Sequence, residues 1–247
     1  TAVTLLYRNG YFKQVINDKQ QEEQAEDWNY QEILEDTGKT VELEIRGRNV
    51  EVKIWEYTYE GADGQVEIYF LDTGLESNHE DDRELTSQLY MGGQETRLAQ
   101  EAVLGIGGTR AVNELGIEID YFHMNEGHSS LLTTEAEGEK VFTTHTPVAA
   151  GHDTFSRELV EKVLPHSKIE QMDFGDTLNM TELALKHSSY TNGVSDKHAE
   201  VSREMFPEYE FDAVTNGVHS ATWTAEPYEE LYDENITKWR IDPARLT

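Results

Sequence analysis

Short apolar runs alternate with amphipathic runs along the back two thirds of the chain, and this pattern limits the fold more than any other feature. The apolar runs predict strands at 119–127, 140–145, 192–195 and 211–218. The amphipathic runs predict helices at 128–137, 156–164, 177–190, 196–206 and 225–236. Strands that alternate with helices in this way form a parallel sheet with helices on both faces, so the predicted class is α/β.

The front third of the chain is predicted to be rich in β-strands. Apolar and polar residues alternate there, which predicts half-buried strands at 41–47, 50–60 and 66–74. The first two strands are expected to form a hairpin that turns at Gly47–Asn49. Residues 41–74 therefore constitute a β-rich segment ahead of the α/β part.

Two helices are predicted between these parts, at 82–90 and 94–115. The second contains GIGGTRA (105–111), which superficially resembles a dinucleotide-binding loop. The run lacks the G-x-G-x-x-G spacing, and it lies inside a helical pattern instead of between a strand and a helix. We therefore interpret its glycines as positions of close helix packing.

The chain carries far more acidic than basic side chains, 49 against 20, which gives a net charge of −29. Phosphate backbones attract positive surfaces, so nucleic acid is not expected as a partner. The acidic residues are spread along the sequence and lysines are few. This distribution favours a surface adapted to a salt-rich cytoplasm over that of an ordinary acidic protein.

Cysteine is absent from the sequence, which excludes disulfides, thiolate metal sites and a cysteine nucleophile. No apolar run approaches the ~20 residues of a membrane helix, and no secretion leader is evident. A cytoplasmic location without membrane attachment is therefore expected. The chain begins at Thr1 in a strand-like run and finishes in IDPARLT without a terminal signal, so both ends are expected to be cut.

Three predicted strands end in polar clusters, namely HMNEGHSS (123–130), TTHTP (143–147) and VTNGVHS (214–220). Ligands of parallel sheets bind at the carboxyl ends of the strands, so these side chains are expected to form one site. In the second cluster, the proline holds the residue before it in an extended conformation. His145 and Thr146 can then present a carbonyl and an imidazole to a ligand.

A metal site and a serine nucleophile are both poorly supported. Glu126 and His128 lie two residues apart at a strand-to-helix junction without an evident third ligand, so no metal is expected. The run GVSDK (193–197) does not form the G-x-S-x-G elbow of a serine hydrolase. Carboxylates and imidazoles hydrogen-bond sugar hydroxyls, which favours a sugar site at Glu126 and His128.

Five blocks of the sequence resemble, in order, the α-glucan phosphorylase family, which includes the glycogen and maltodextrin phosphorylases. The blocks are LLYRNGYFKQ (5–14), HMNEGHSSLL (123–132), VFTTHTPVAAGHDTF (141–155), NGVSDKHAEVSREMF (192–206) and VTNGVHSATWT (214–224). The resemblance is to the shorter bacterial and archaeal form and runs through nearly the whole chain.

This resemblance implies a two-lobe glycosyltransferase fold of the GT-B type, with the active site between two Rossmann-like lobes. Residues 1–247 are similar to most of the N-terminal lobe only, a Rossmann-like parallel sheet with 41–74 as a β-rich insertion. The C-terminal lobe, with its cofactor lysine and basic phosphate ligands, has no counterpart in the sequence. The chain is therefore expected to be inactive by itself.

The resemblance also implies roles for individual residues. His145 matches the catalytic histidine that presents its main-chain carbonyl and side chain to the transferred glucose. Asn216 matches the asparagine that contacts the 6-hydroxyl of that sugar. Glu126 and His128 resemble the block that lines the sugar pocket, and Thr146 is included with them as a substrate-binding residue.

In this family, phosphate attacks the terminal glucose of an α-1,4-glucan and releases glucose 1-phosphate. The implied partners are glucan, phosphate and the C-terminal lobe, and the implied cofactor is pyridoxal phosphate on a lysine of that lobe. Dimers are common in the family. Two alternatives stay open, a nucleotide-sugar-dependent glucan synthase of the same fold and a non-catalytic glucan-binding module.

Overall fold

Two four-stranded sheets and two short hairpin-like pairs organise the chain in a computed structural model, which describes residues 1–25, 28–61, 64–89 and 92–246. Within those ranges the strands are β1 Ala2–Leu5, β2 Phe12–Asn17, β3 Gln20–Ala25, β4 Glu35–Ile45, β5 Arg48–Glu60, β6 Gln65–Asp72, β7 Tyr121–Asn125, β8 Glu139–Thr144, β9 Thr154–Ser156, β10 Thr177–Asn179, β11 Tyr190–Gly193 and β12 Asp212–Ala213.

The first sheet has the strand order β1-β6-β5-β4 and forms the predicted β-rich segment. Strand β1 runs parallel to β6, while β4, β5 and β6 are antiparallel neighbours. The β4–β5 turn consists of Arg46 and Gly47, both at positive φ (55° and 68°), as a two-residue hairpin loop requires. The turn lies one residue earlier than predicted because Arg48 already pairs with Ile45.

The second sheet has the order β12-β11-β8-β7, and all its strands are parallel, which confirms the predicted parallel sheet. The prediction of a last strand over 211–218 is wrong in length, because β12 contains two residues only. Beyond it, the backbone still follows β11, since the N–H groups of Val214 and Asn216 donate to the carbonyls of Gly193 and Val194.

Helices and connecting loops form the remainder of the described chain. The α-helices are α1 Tyr30–Ile33, α2 Glu80–Arg83, α3 Gln94–Ala102, α4 Gly108–Glu114, α5 Arg157–Val163, α6 His166–Ile169, α7 Met180–His187, α8 Asp196–Met205, α9 Ser220–Trp223 and α10 Glu226–Asn235. Other helical turns are a π-helical segment at Val103–Gly107 and 3₁₀ segments at Gly127–Thr134, Ala149–Gly151 and Pro243–Leu246. None of the described helices is long and apolar enough to cross a membrane.

Three predicted helices differ from the observed ones, because contacts with other segments change the backbone. The helix predicted at 82–90 is reduced to α2, since the buried Thr86 hydroxyl accepts a bond from the Thr73 N–H (2.9 Å) and holds a turn there. Its predicted last residue, Tyr90, lies outside the described residues. The helix predicted at 177–190 begins only at Met180, because 177–179 pair with β9.

The third difference concerns residues after β7. The predicted α-helix over 128–137 is a 3₁₀ segment, Gly127–Thr134. It packs against the long helix predicted at 94–115, which the structure confirms as α3, the π-helical segment and α4 in one continuous run. Gly105 makes this contact possible, because a Cβ there would lie 2.6 Å from the backbone nitrogen of Leu132. The interpretation of a close-packing glycine in GIGGTRA is thus confirmed at Gly105, whereas Gly107 has room for a methyl group.

Helices cover the second sheet less completely than predicted. A core of Met124, Phe142, Ala184, Leu185 and Ala199 joins β7 and β8 to α7 and α8 on one side. On edge strand β7, the alternate residues point away from this core, and Tyr121 is 68% exposed. The prediction of a sheet covered on both faces is therefore wrong at this edge.

We predict that Gly105→Ala destabilises the fold, whereas Gly107→Ala does not. The added methyl at Gly105 would meet the backbone at 2.6 Å, while at Gly107 its nearest contact is a side chain at 3.8 Å. We expect a loss of about 1–3 kcal/mol for the first variant, from overpacking, and a change within about 1 kcal/mol for the second. Urea denaturation measures both, and equal stabilities would contradict the packing role.

Candidate active site

The carboxyl ends of three parallel strands meet at one edge of the second sheet. Asn125 ends β7 and Glu126 follows it, His145 follows β8, and Asn216 follows the extension of β12. The side-chain nitrogens of Asn216 and His145 lie 3.5 Å apart, and both residues are exposed. The fold therefore brings together side chains that are 71 residues apart in sequence, at the edge where ligands of such sheets bind.

The Glu126 carboxylate bridges the ends of β7 and β8. Its Oε1 accepts a hydrogen bond from the His145 backbone N–H, and further bonds from the hydroxyls of Thr146 (3.1 Å) and Thr144 (3.4 Å). Its Oε2 accepts a bond from the Gly127 N–H at 3.3 Å. Among the five predicted site residues, Glu126 is thus hydrogen-bonded directly to two others, His145 and Thr146.

A cleft of about 510 Å³ opens beside this cluster. Three of the five predicted residues line it, Glu126, Thr146 and, in addition, His128. The remaining lining residues are Gly92, Gly93, Gln94, Arg97, Gly127, Gly151, His152, Asp153 and Thr181. Four glycines and several polar side chains make the wall suitable for a ligand that offers many hydroxyl groups.

A half-buried arginine faces two carboxylates in the wall of the cleft. Arg97 donates to Asp153 (2.8 and 3.2 Å) and lies 2.9 Å from a carboxylate oxygen of Glu101. Burial raises the pKa of Glu101 well above its ordinary value, and the nearby Asp153 adds to the rise. Burial would also raise the pKa of Asp153, but hydrogen bonds from Arg97 and Glu101 outweigh it and lower that pKa. Burial thus favours the protonated form of Glu101 more than that of Asp153.

The two histidines of the cleft are held in the neutral form. Burial, aided by the positive charge of Arg97, lowers the pKa of His128 below its ordinary value, although Glu126 and Asp153 oppose the shift. Burial likewise lowers the pKa of His152, whose Nδ1 lies 2.8 Å from the Thr181 hydroxyl. A neutral imidazole both donates and accepts hydrogen bonds, as recognition of a hydroxyl group requires.

Sequence reasoning missed Arg97, His152 and Asp153 as parts of the cleft. His152 and Asp153 stand in the block VFTTHTPVAAGHDTF, where their position after a glycine indicated only a turn. Arg97 lies on α3, 56 residues before Asp153, and no local signal connects the two. Within the described ranges, no group of three His, Asp or Glu side chains is arranged to hold a metal ion.

We predict that stability falls as the pH drops from about 7.5 to about 5.5. The unfolded chain binds protons to its histidines around pH 6.5, whereas the folded pKa values of His128 and His152 are lower, so acid favours the unfolded state. His128→Gln and His152→Gln should each flatten the pH slope of the unfolding free energy. His166→Gln is the matched control, since that side chain is 83% exposed. An unchanged slope in the cleft variants would contradict the prediction.

The chain is similar in sequence to several phosphorylases. No protein-family model matches the chain. The maltodextrin phosphorylase of Thermococcus litoralis is 35% identical, over 97% of this chain and 34% of its own length. Glycogen phosphorylases of Mycobacterium tuberculosis and Aquifex aeolicus are 34% and 31% identical, over 93% and 95% of this chain and 33% and 40% of their own lengths.

The fold of the chain is similar to that of a solved glycosyltransferase structure. The catalytic domain of starch synthase IV from Arabidopsis thaliana, bound to ADP and acarbose, aligns with a TM-score of 0.59. The alignment covers 79% of this chain and 43% of that structure at 15% identity, and it shows the two proteins share the glycosyltransferase fold. Together the matches confirm the resemblance to the α-glucan phosphorylases, and the chain spans about a third of the length of these relatives.

Proposed function

We propose that this chain supplies the sugar-binding side of the active site of an α-glucan phosphorylase. The reaction would transfer the terminal glucose of an α-1,4-glucan to phosphate and yield glucose 1-phosphate. The observation that supports it most is the meeting of His145 and Asn216 beside the cleft, because the resemblance assigns both to the transferred sugar. Residues 1–247 would form part of the N-terminal lobe, with 41–74 as its β-rich insertion.

The role proposed for His145 is electrostatic. Phosphate forms a bond to the anomeric carbon while the glycosidic bond breaks, and the departing glucan oxygen takes up a proton. Positive charge develops on the sugar in the transition state, so a fixed carbonyl dipole beside it stabilises that state more than the ground state. Among the described residues, none donates a hydrogen bond to the His145 carbonyl, which leaves the oxygen available for the sugar.

The remaining residues would bind sugar hydroxyls. The Asn216 amide offers two donors and one acceptor, which suits the 6-hydroxyl assigned to it. Neutral His128, the Thr146 hydroxyl and the Glu126 carboxylate line the cleft and can each bond a hydroxyl group there. These side chains come from three different strand ends, so they would fix both the position and the rotation of one sugar ring.

The implied cofactor does not fit the residues of the described chain. Pyridoxal phosphate in this family is attached to a lysine, and no lysine lines the cleft in the described ranges. Arg97, the cation in the cleft wall, is paired with Asp153 and Glu101 and so is not available as a phosphate ligand. We propose that the C-terminal lobe holds both the cofactor and the phosphate.

Exposed apolar side chains support the presence of such a lobe. Trp223 is 79% exposed and Val218 70% exposed, and both lie just after Asn216. Soluble proteins seldom leave contiguous apolar surface in water, so the segment after β12 fits a contact with another part of the protein. A phosphorylase whose lobes close on a glucan would place that contact next to the site. The glucan and the enzyme are proposed to meet in the cytoplasm.

Two rivals make different predictions. A glucan synthase of the same fold would transfer glucose from a nucleotide sugar. This alternative is supported by similarity of fold alone, because the sequence identity to the starch synthase is 15%. A glucan-binding module would bind maltodextrin without turnover, both as the 247-residue chain and as the full encoded polypeptide. Release of glucose 1-phosphate from maltodextrin and phosphate separates the phosphorylase from both rivals, because neither rival produces it.

The experiment that tests the proposal measures turnover and binding separately. In the full encoded polypeptide, His145→Ala keeps the main-chain carbonyl and removes the imidazole, which the resemblance also places on the transferred glucose. It should lower kcat at least about tenfold while the Kd for maltodextrin changes less than about threefold. Asn216→Ala should instead weaken Kd about tenfold, the value of one lost hydrogen bond of about 1.4 kcal/mol. Phosphorolysis assays and calorimetric titration give the two quantities.

Asn17→Ala is the matched control, because Asn17 is exposed on β2 and lies outside the cleft. It should change neither kcat nor Kd. Equal losses of kcat and affinity in His145→Ala would refute its role in the transition state. Absence of glucose 1-phosphate in the unmodified full-length protein would refute the phosphorylase function.

We further propose that the acidic surface is an adaptation to high salt. With a net charge of −29, the acidic side chains of the folded chain repel one another. Dissolved ions reduce this repulsion, since the screening length falls from about 10 Å at 0.1 M salt to about 3 Å at 1 M. Strand β3 illustrates the surface, because all six of its residues are exposed and two of them, Glu22 and Glu23, are glutamates.

We predict that the thermal midpoint rises by several degrees between about 0.1 M and about 2 M KCl, because screening reduces the repulsion. Replacing both Glu22 and Glu23 by lysine changes the net charge from −29 to −25 and should reduce this salt dependence. Sorbitol at equal osmolality controls for effects of water activity. A midpoint independent of KCl would contradict the proposed adaptation.

A further inference from the structure

Glu126 has a backbone conformation that is unusual for its residue type. Its φ is 76° and its ψ is 165°, a region that only glycine enters without strain. The next residue is Gly127, where a Cβ would lie 3.0 Å from the Thr181 hydroxyl, so the chain has little freedom to relax here. Strain of this kind persists only where the surrounding contacts hold the residue in place.

Those contacts come chiefly from β8 and the residues that follow it. The Glu126 N–H donates to the Thr143 carbonyl at 2.9 Å. Its Oε1 accepts from the His145 N–H and from the hydroxyls of Thr144 and Thr146, as described above. Oε1 therefore makes contact with three consecutive residues that flank and include His145. Bonds to a charged acceptor are about twice as strong as those between neutral groups.

Capping of the following 3₁₀ segment explains little of this arrangement. The bond from Gly127 N–H to Oε2 is 3.3 Å long, which is weak for a charged acceptor. A serine or aspartate with ordinary backbone angles would cap that segment without strain. The strained backbone instead directs the carboxylate across to the end of β8.

We propose that Glu126 is a positioning residue that acts through His145. Its Oε1 holds the His145 N–H and the hydroxyls of the residues before and after His145, and so sets the direction in which the His145 carbonyl points. The inference rests on the proposed function, because the carbonyl matters only if it faces the reacting sugar. It assigns to Glu126 a role in turnover beyond the sugar binding that the resemblance implies.

The test compares Glu126→Gly with Glu126→Gln. Glycine accepts the backbone angles and removes the carboxylate, so Glu126→Gly separates loss of positioning from misfolding. Glutamine keeps an acceptor oxygen for the His145 N–H. Asp18→Gly is the matched control, since Asp18 is an acidic residue at positive φ (43°) in the exposed β2–β3 turn.

In the 247-residue chain, the proton signal of the His145 amide should move upfield in Glu126→Gly, and its exchange with solvent should accelerate at least about tenfold. In the full encoded polypeptide, kcat should fall at least about tenfold with KM within about threefold of the unmodified enzyme. Glu126→Gln should recover part of both effects, and Asp18→Gly should show neither.

An unchanged His145 amide or an unchanged kcat in Glu126→Gly would overturn the proposal. A rise in KM at constant kcat would also overturn it, since Glu126 would then act by binding the sugar directly. If Glu126→Gly does not fold, Glu126→Gln decides through the same two readouts. Failure of the unmodified protein to release glucose 1-phosphate would refute the proposed function, whereas the amide signal tests the positioning contact independently.

Discussion

The parallel register of β7, β8 and β11 is the constraint on which the candidate site depends. Met124 pairs with Phe142 and Asn192 pairs with Thr143, so the three strands end at nearly the same level. A polar layer fixes that register, since the Thr143 hydroxyl donates to Asn192 (2.8 Å) and lies 2.7 Å from Nε2 of His123. A slip of one residue would turn these groups into the apolar core, so the register is strongly determined.

The side chains beyond the strand ends inherit their positions from this register. Glu126 can reach the backbone of His145 only because β7 and β8 are adjacent and end together. Asn216 reaches the same place because the chain continues along β11 after β12, through its N–H bond to the Val194 carbonyl. Neighbouring strand ends thus position Glu126, His145 and Asn216, while α3 and the loop after β8 contribute further parts of the cleft wall.

Charge is handled differently inside the molecule and on its surface. Arginine side chains pair with buried carboxyl groups whose charged form burial disfavours. Examples are Asp82 with Arg48 (2.7 and 2.8 Å) and Glu101 with Arg97. Breaking a buried pair costs far more than losing a surface pair, and Asp82 has a second partner in Arg46, at 3.4 Å. The excess of acidic residues is left on the surface, where water and ions screen it.

The sequence by itself determined the α/β class, the β-rich segment, most helices and the strand ends that carry His145 and Asn216, because periodicity and strand-end polarity are local properties. It could not show that Arg97 and Asp153 share a cleft, or that Thr86 ends α2 early, since these contacts join distant parts of the chain. Only the tertiary structure decided that Glu126 bridges to His145. That contact depends on a strained backbone held by a neighbouring strand, and no residue pattern encodes it.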